Sequence, residues 1–235
     1  TVDLDFRRDL RLGLRLRGEG LDPKAWKGYF SWLEGVEGPL RSVCLDLKGP
    51  VERLEGPVTV QAPRVTLWGE ELTDLRASAR LRGSAPLSLR ASGLWQRAPF
   101  DGKGEVDPRT ASVKLQGAFR SLDLSRLAVR FPDLKPLGAQ GAVSGSLEIA
   151  GPAKRLVFTV RTAPADLSIL WGESREPLGR VETHLDLSGG VLRLRSFSGQ
   201  IRGARVRGSG ELLGLGSSGT TLALAGRVEG VDLSR

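Results

Sequence analysis

A chain of 235 residues with 40% hydrophobic and 26% charged residues can bury a core and stay in water, and no apolar run in it approaches the ~20 residues that cross a bilayer as a helix. One histidine rules out a multi-histidine metal site, one cysteine rules out an internal disulfide, and a formal charge of +8 raises the question of an anionic partner. Met and Asn are absent and charge is carried mainly by Arg and Glu, a depletion of labile residues expected of a thermophilic source.

From the N-terminus, "LRLGLRLRG" sets Leu10, Leu12, Leu14 and Leu16 against Arg11, Arg15 and Arg17. That period of two predicts a strand with one apolar face. "DPKAWKGYFSWLEGV" breaks the rhythm. Asp22 as cap, Pro23 at the first helical position, and Trp26, Tyr29, Phe30 and Leu33 at helical spacing predict a short helix. Alternation returns in "CLDLKGPVERL" (Cys44 to Leu54), where Cys44 reads as a buried, inert thiol. "LWGE" follows at Leu67, and "LRASARLRG" then places Leu75, Ala77, Ala79 and Leu81 opposite Arg76, Arg80 and Arg82.

The second half replays the first. "LQGAFRSLDLSR" (Leu115 to Arg126) echoes in "LAGRVEGVDLSR" (Leu224 to Arg235), and "DLSRLAVRFPDLKPLG" predicts a helix on Leu124, Leu127, Ala128 and Phe131 that Pro132 stops. "SLEIAGPAKRL" (Ser146 to Leu156) repeats the Leu-x-x-x-Gly-Pro-x-x-Arg-Leu frame of Cys44 to Leu54, and "RLVFTVRT" continues it as a strand. "LWGE" recurs at Leu170, although Ser168, Ile169 and Leu170 shift the apolar phase seen at Val65 and Leu67. A bulge or burial on both faces is expected there. "HLDLSGGVLRLRS" predicts a tight hairpin at Gly189-Gly190, and "GSGEL" at Gly208 echoes "GKGEV" at Gly102.

The offsets between matched phrases grow along the chain, from 122 − 21 = 101 to 224 − 115 = 109, as loops with a few insertions would give. The expected organisation is the end of a preceding repeat at 1–15, units at 16–114 and 115–223, and the start of another repeat at 224–235. A chain that begins and ends inside its own repeat, and lacks Met, reads as a piece of something longer.

No catalytic constellation accompanies this architecture. Cys44 and His184 fall in different units with no motif around either, and no glycine spacing matches a phosphate loop or dinucleotide fingerprint. No enzyme activity, no cofactor and no metal are expected. The basic residues are spread over nearly every strand and interleaved with 27 acids, without an aromatic platform. This favours a solvated sheet face over nucleic acid, with contact to anionic headgroups as the intermediate reading.

One-faced strands in stacked units predict an all-β, elongated and curled antiparallel sheet with short helices at the repeat junctions. Five or six strands per unit would add roughly 25–30 Å of length. "DLSRLAVRFPDLKPLGAQGAVSGSLEIAGPAKRLVFTVRT", in the stretch Leu122 to Thr162, resembles the recurring unit of the TamB and AsmA-like family: a short helix, a nearby Pro, a Gly, then alternating strands through a Gly-Pro turn. Residues Leu21 to Val60 match it more loosely.

The resemblance implies a β-taco, or repeating β-groove, that carries phospholipid acyl chains across the periplasm in a parent protein anchored in the inner membrane. It also implies a part in outer-membrane biogenesis. A TamA-type barrel partner would be met through parts of the parent outside this chain. The expected groove residues are Leu75, Ala77, Leu81, Leu87, Leu89, Val143, Leu147, Ile149, Leu156, Phe158, Val160, Leu185, Leu187, Leu192, Leu194 and Val206. The alternative is a structural or interaction scaffold with a closed core, serving outer-membrane protein assembly or resembling a secreted adhesin.

Overall fold

The computed structural model describes residues 2–5, 11–23, 36–50, 53–67, 69–83, 85–107, 109–130, 138–152, 155–171, 173–213 and 221–230. The chain divides into two compact units, Thr1–Leu115 and Gln116–Arg235. Both are antiparallel β, as the period-two pattern requires.

The first unit holds β1 (Val2–Asp5), β2 (Arg11–Leu21), β3 (Val36–Glu37), β4 (Leu40–Pro50), β5 (Glu55–Leu67), β6 (Glu70–Arg82), β7 (Leu87–Trp95) and β8 (Ala98–Asp107). Its sheet runs β1-β2-β4-β5-β6-β7-β8, with β3 paired to the end of β5, and the path does not close on itself. The chain passes between units inside β9 (Ser112–Asp123). The second unit adds α1 (Leu124–Arg130), β10 (Ala142–Pro152), β11 (Val157–Thr162), β12 (Ala165–Trp171), β13 (Ser174–Ser188), β14 (Val191–Ile201), β15 (Ala204–Leu213) and β16 (Thr221–Glu229). There the order is β10-β11-β13-β14-β15-β16, with β12 beside β13.

Strand β6 shows why these segments become sheet. Arg76, Ser78, Arg80 and Arg82 are exposed while Leu75, Ala77, Ala79 and Leu81 are buried or half-buried, so one pleated face can leave water and the other keeps its charges hydrated. The short helix α1 is started by Asp123, whose carboxylate accepts the backbone N–H of Ser125 at 2.9 Å and its hydroxyl at 2.7 Å. Leu124 and Leu127 are half-buried. Trp26, Tyr29, Phe30 and Leu33, the expected first helix, lie outside the described residues, as do Phe131 and Pro132.

Backbone irregularities recur along with the phrases. Asp74 in β6 and Arg180 in β13 both have positive φ, 51° and 52°, and both sit where the register with the next strand slips. Turn residues Gln96-Arg97 and Arg202-Gly203 have positive φ in the matching hairpins β7–β8 and β14–β15. The strand whose apolar phase shifts differs between the units. Where unit one has the single strand β5, unit two has β11 and β12 with a break at Ala163 and Pro164, and a bulge follows between Ala165 and Leu167.

Packing is densest at one end of the strands. Ala62, Val65 and Leu75 form a buried cluster with Val36, Leu40, Leu72 and Phe100 against it. In the second unit Val143, Leu178, Val181 and Ala204 are buried near the corresponding strand ends. Along β13 exposure rises from 6% at Leu178 and 4% at Val181 to 36% at Leu187, so the second unit has a packed end and an open end on the same apolar face, whereas in the first unit Leu47, at the other strand ends, is also buried at 7%.

Candidate functional site

Residues directly opposite in antiparallel strands present their side chains on the same face, so register alone assembles a surface. In the second unit Leu147 lies opposite Val160, Val160 opposite Leu185, Leu185 opposite Leu194, Leu194 opposite Gly210, and Gly210 opposite Leu224. A second row, Ile149, Phe158, Leu187, Leu192 and Leu212, runs beside it. Val206 continues the same face of β15, and Leu156, half-buried just before β11, is in phase with Phe158 and Val160.

In the first unit one row runs Leu16, Leu45, Val58, Ala79, Leu89 and Gly104, and the next runs Val43, Val60, Ala77, Ala91 and Gly102. Leu81 and Leu87 extend this face toward the open strand ends. All five expected residues of the first unit, and all eleven of the second, therefore lie on the apolar face of their own sheet. Leu75 and Val143 belong to the packed ends, at 8% and 6% exposure, and most of the others stay half-exposed.

The sheet bends toward this face. A Cβ placed on Gly104 would fall 2.1 Å from the carbonyl oxygen of Lys114, and one on Gly210 would fall 2.5 Å from that of Ala223. Gly145 is approached in the same way, at 2.2 Å, by the carbonyl of Arg161. Each glycine sits on the apolar face, so the neighbouring strand rises on that side and only a residue without a side chain admits it. The glycines of "GKGEV" and "GSGEL" are thus corners rather than phosphate-binding elements.

Along β11 and the stretch of β13 from Val181 to Ser188, polar groups interrupt the face once, where the Thr162 and Thr183 hydroxyls meet at 3.1 Å and Thr162 also accepts the Thr183 backbone N–H at 2.8 Å. Both hydroxyls are satisfied, so the interruption costs little.

The opposite face is charged and cross-linked. Asp186 accepts Arg195 at 2.6 Å and the Thr159 hydroxyl at 2.9 Å, and His184 approaches it at 3.8 Å. The Arg195 hydrogen bond, helped by Thr159, holds the Asp186 carboxyl below the ordinary carboxylate range against an opposing effect of burial. Glu176, on the face of Leu178 near the start of β13, is likewise lowered by its ion pair with Arg202. Cys44 lies on this polar face between Arg17 and Thr59 and is half-buried, which corrects its reading as a core thiol: the alternation of β4 puts Val43, Leu45 and Leu47 inward and Cys44 outward.

Sequence reasoning passed over Phe197. Counting by twos from Leu192 and Leu194 leads to Ser196, but the register slips between Leu194 and Phe197, and Phe197 pairs with Gly208 on the apolar face. It also passed over Val43, Leu45, Val58 and Val60, whose alternation is as regular as that of the residues it named.

Among the described residues no cluster of three or more metal-ligating side chains occurs. No protein-family model, no curated protein and no solved structure matches this chain.

Proposed function

We propose that the apolar faces hold the acyl chains of phospholipids, and that the chain is a non-catalytic segment of a lipid conduit of the TamB and AsmA-like kind. The observation that carries this reading is the pair of apolar rows in each unit, one across six strands and one across five, most of whose residues remain half-exposed, on the side toward which the glycine corners bend the sheet. An open apolar surface of this extent calls for an apolar guest or partner.

The energetics suit a mobile guest. At about 0.8 kcal/mol per buried methylene, a sixteen-carbon chain leaving water gains roughly 10 kcal/mol gross. The rows are apolar throughout, with Leu, Val, Ile or Phe on most strands and Ala or Gly on the rest, about 4.8 Å apart, so a chain that slides by one strand exchanges one apolar contact for another. The packed strand ends would receive the methyl ends of the guest and the open ends its hydrated headgroup. In the full reading the parent protein is anchored in the inner membrane, spans the periplasm and serves outer-membrane biogenesis, with any TamA-type barrel met elsewhere in the parent. Native mass spectrometry of the purified chain tests the first step. Co-purified phospholipid, lost on delipidation and regained on incubation with vesicles, is the expected result, and a folded chain that carries and regains none overturns it.

A further inference from the structure

On the polar face of the second unit Arg207 of β15 stands directly opposite Arg227 of β16, and on its other side directly opposite Ser198 of β14. Cβ atoms of directly opposed residues are about 4.5–5.5 Å apart, so two like charges start side by side, an arrangement that disfavours the sheet. Arg205, two residues away on the same face of β15, adds a third guanidinium.

The surrounding acids neutralise only part of the group, since Glu229 pairs with Arg227 alone. Glu229, opposite Arg205, is held by Arg227 at 3.1 Å, Glu211 is held by Arg193 at 2.8 Å, and Glu182 lies beyond Ser198 on β13. Neither Arg205 nor Arg207 has an ion-pair partner among the described residues, whereas Arg193, Arg195 and Arg202 on the same unit each have one. The first unit contains a like-charged opposition too, Arg90 against Lys103, but Lys103 is flanked on its own strand face by Asp101 and Glu105. Arg227 has one such flanking acid, Glu229, so the opposed cations of β15 and β16 are less compensated than those of β7 and β8.

We infer that Ser198, Arg207 and Arg227 form a phosphate-binding site. One guanidinium fork satisfies a carboxylate, whereas a phosphate group carries up to two charges and several acceptor oxygens, matching two forks and a hydroxyl. The phosphate can belong to a lipid headgroup or be free in solution. The site is on the face away from the apolar rows and does not depend on what those rows bind.

The test follows the arginine side-chain N–H signals by NMR while the chain is titrated with inorganic phosphate. In parallel it is co-sedimented with phosphatidylcholine vesicles with and without phosphatidic acid. Arg207 and Arg227 signals should shift with phosphate, and an R207Q/R227Q double variant of unchanged melting temperature should lose the response while K103Q keeps it. Sedimentation that needs phosphatidic acid, and weakens roughly fivefold for each cation removed, assigns the phosphate to a headgroup. A response to inorganic phosphate without vesicle binding assigns it to a soluble anion. Both support the site. Unmoved Arg207 and Arg227 signals with either probe, or a double variant that binds as well as the parent, overturn it.

Discussion

Gly49 and Gly151 occupy the same turn in the two units, with φ of +129° and +121°, and a Cβ on either would lie 2.7 or 2.8 Å from the carbonyl oxygen of Arg53 or Arg155. The shared frame Leu-x-x-x-Gly-Pro-x-x-Arg-Leu is thus the signature of a backbone geometry. The Arg155 N–H closes this turn on the Pro152 carbonyl at 2.7 Å.

Gly151→Ala should therefore cost about 1–3 kcal/mol, from strain at positive φ together with the backbone clash. Gly190→Ala, also at positive φ but with nothing within 4 Å of the added methyl, should cost about 1 kcal/mol. Urea denaturation of the two variants checks the order. Equal losses would mean that the Arg155 carbonyl moves aside freely.

The corner glycines carry a different expectation. Gly210→Val must push β16 away from β15 and should cost more than about 2 kcal/mol, with amide protection lost along Thr221–Glu229. Retained protection in β16 would show that the bend does not depend on this residue.

Acid stability should follow Asp186. Its carboxyl is held below its unfolded value by Arg195 and Thr159, so the stabilisation is complete above the unfolded pKa of about 4 and is lost as pH falls through the lower, folded value. Asp186→Asn should reduce stability at pH 7 and flatten the fall in stability below pH ~4. Denaturation midpoints measured between pH 7 and 3 check this, and parallel curves for parent and variant would contradict it.

Helix α1 depends on its cap. Asp123→Ala removes the acceptor of the Ser125 N–H and hydroxyl and should cost about 0.5–2 kcal/mol, while Asp123→Asn should cost less. Equal losses for the two substitutions in thermal melts would assign the effect to the charge and its 3.7 Å approach to Arg126 rather than to the cap.

Much of this architecture is legible in the residues themselves. Period-two alternation at Leu75 to Arg82 and the Gly189-Gly190 hairpin, both glycines at positive φ, appear as the pattern requires because a pleated strand exposes every second side chain. What alternation cannot locate is a one-residue slip. Arg180, at one of the two bulges, has no preference for positive φ, and Asp74, which tolerates it, is one of many acids in the chain, so neither marks a slip, and Phe197 is displaced from the count by another such slip. Register was equally hidden: that Leu147, Val160, Leu185 and Leu194 form one row follows from pairings between strands far apart in the chain.

The most direct test of the central reading is uptake of a fluorescent phospholipid by the delipidated chain, comparing substitutions on the two faces of the same strands. Leu147→Asp, Val160→Asp and Leu194→Asp should each reduce saturable uptake about tenfold or more while the fold is retained, and Glu148→Ala or Arg193→Ala, on the other face, should leave it within about twofold. Uptake that is absent from the parent chain, or that falls as much for the polar-face variants as for the apolar-face ones, would contradict it.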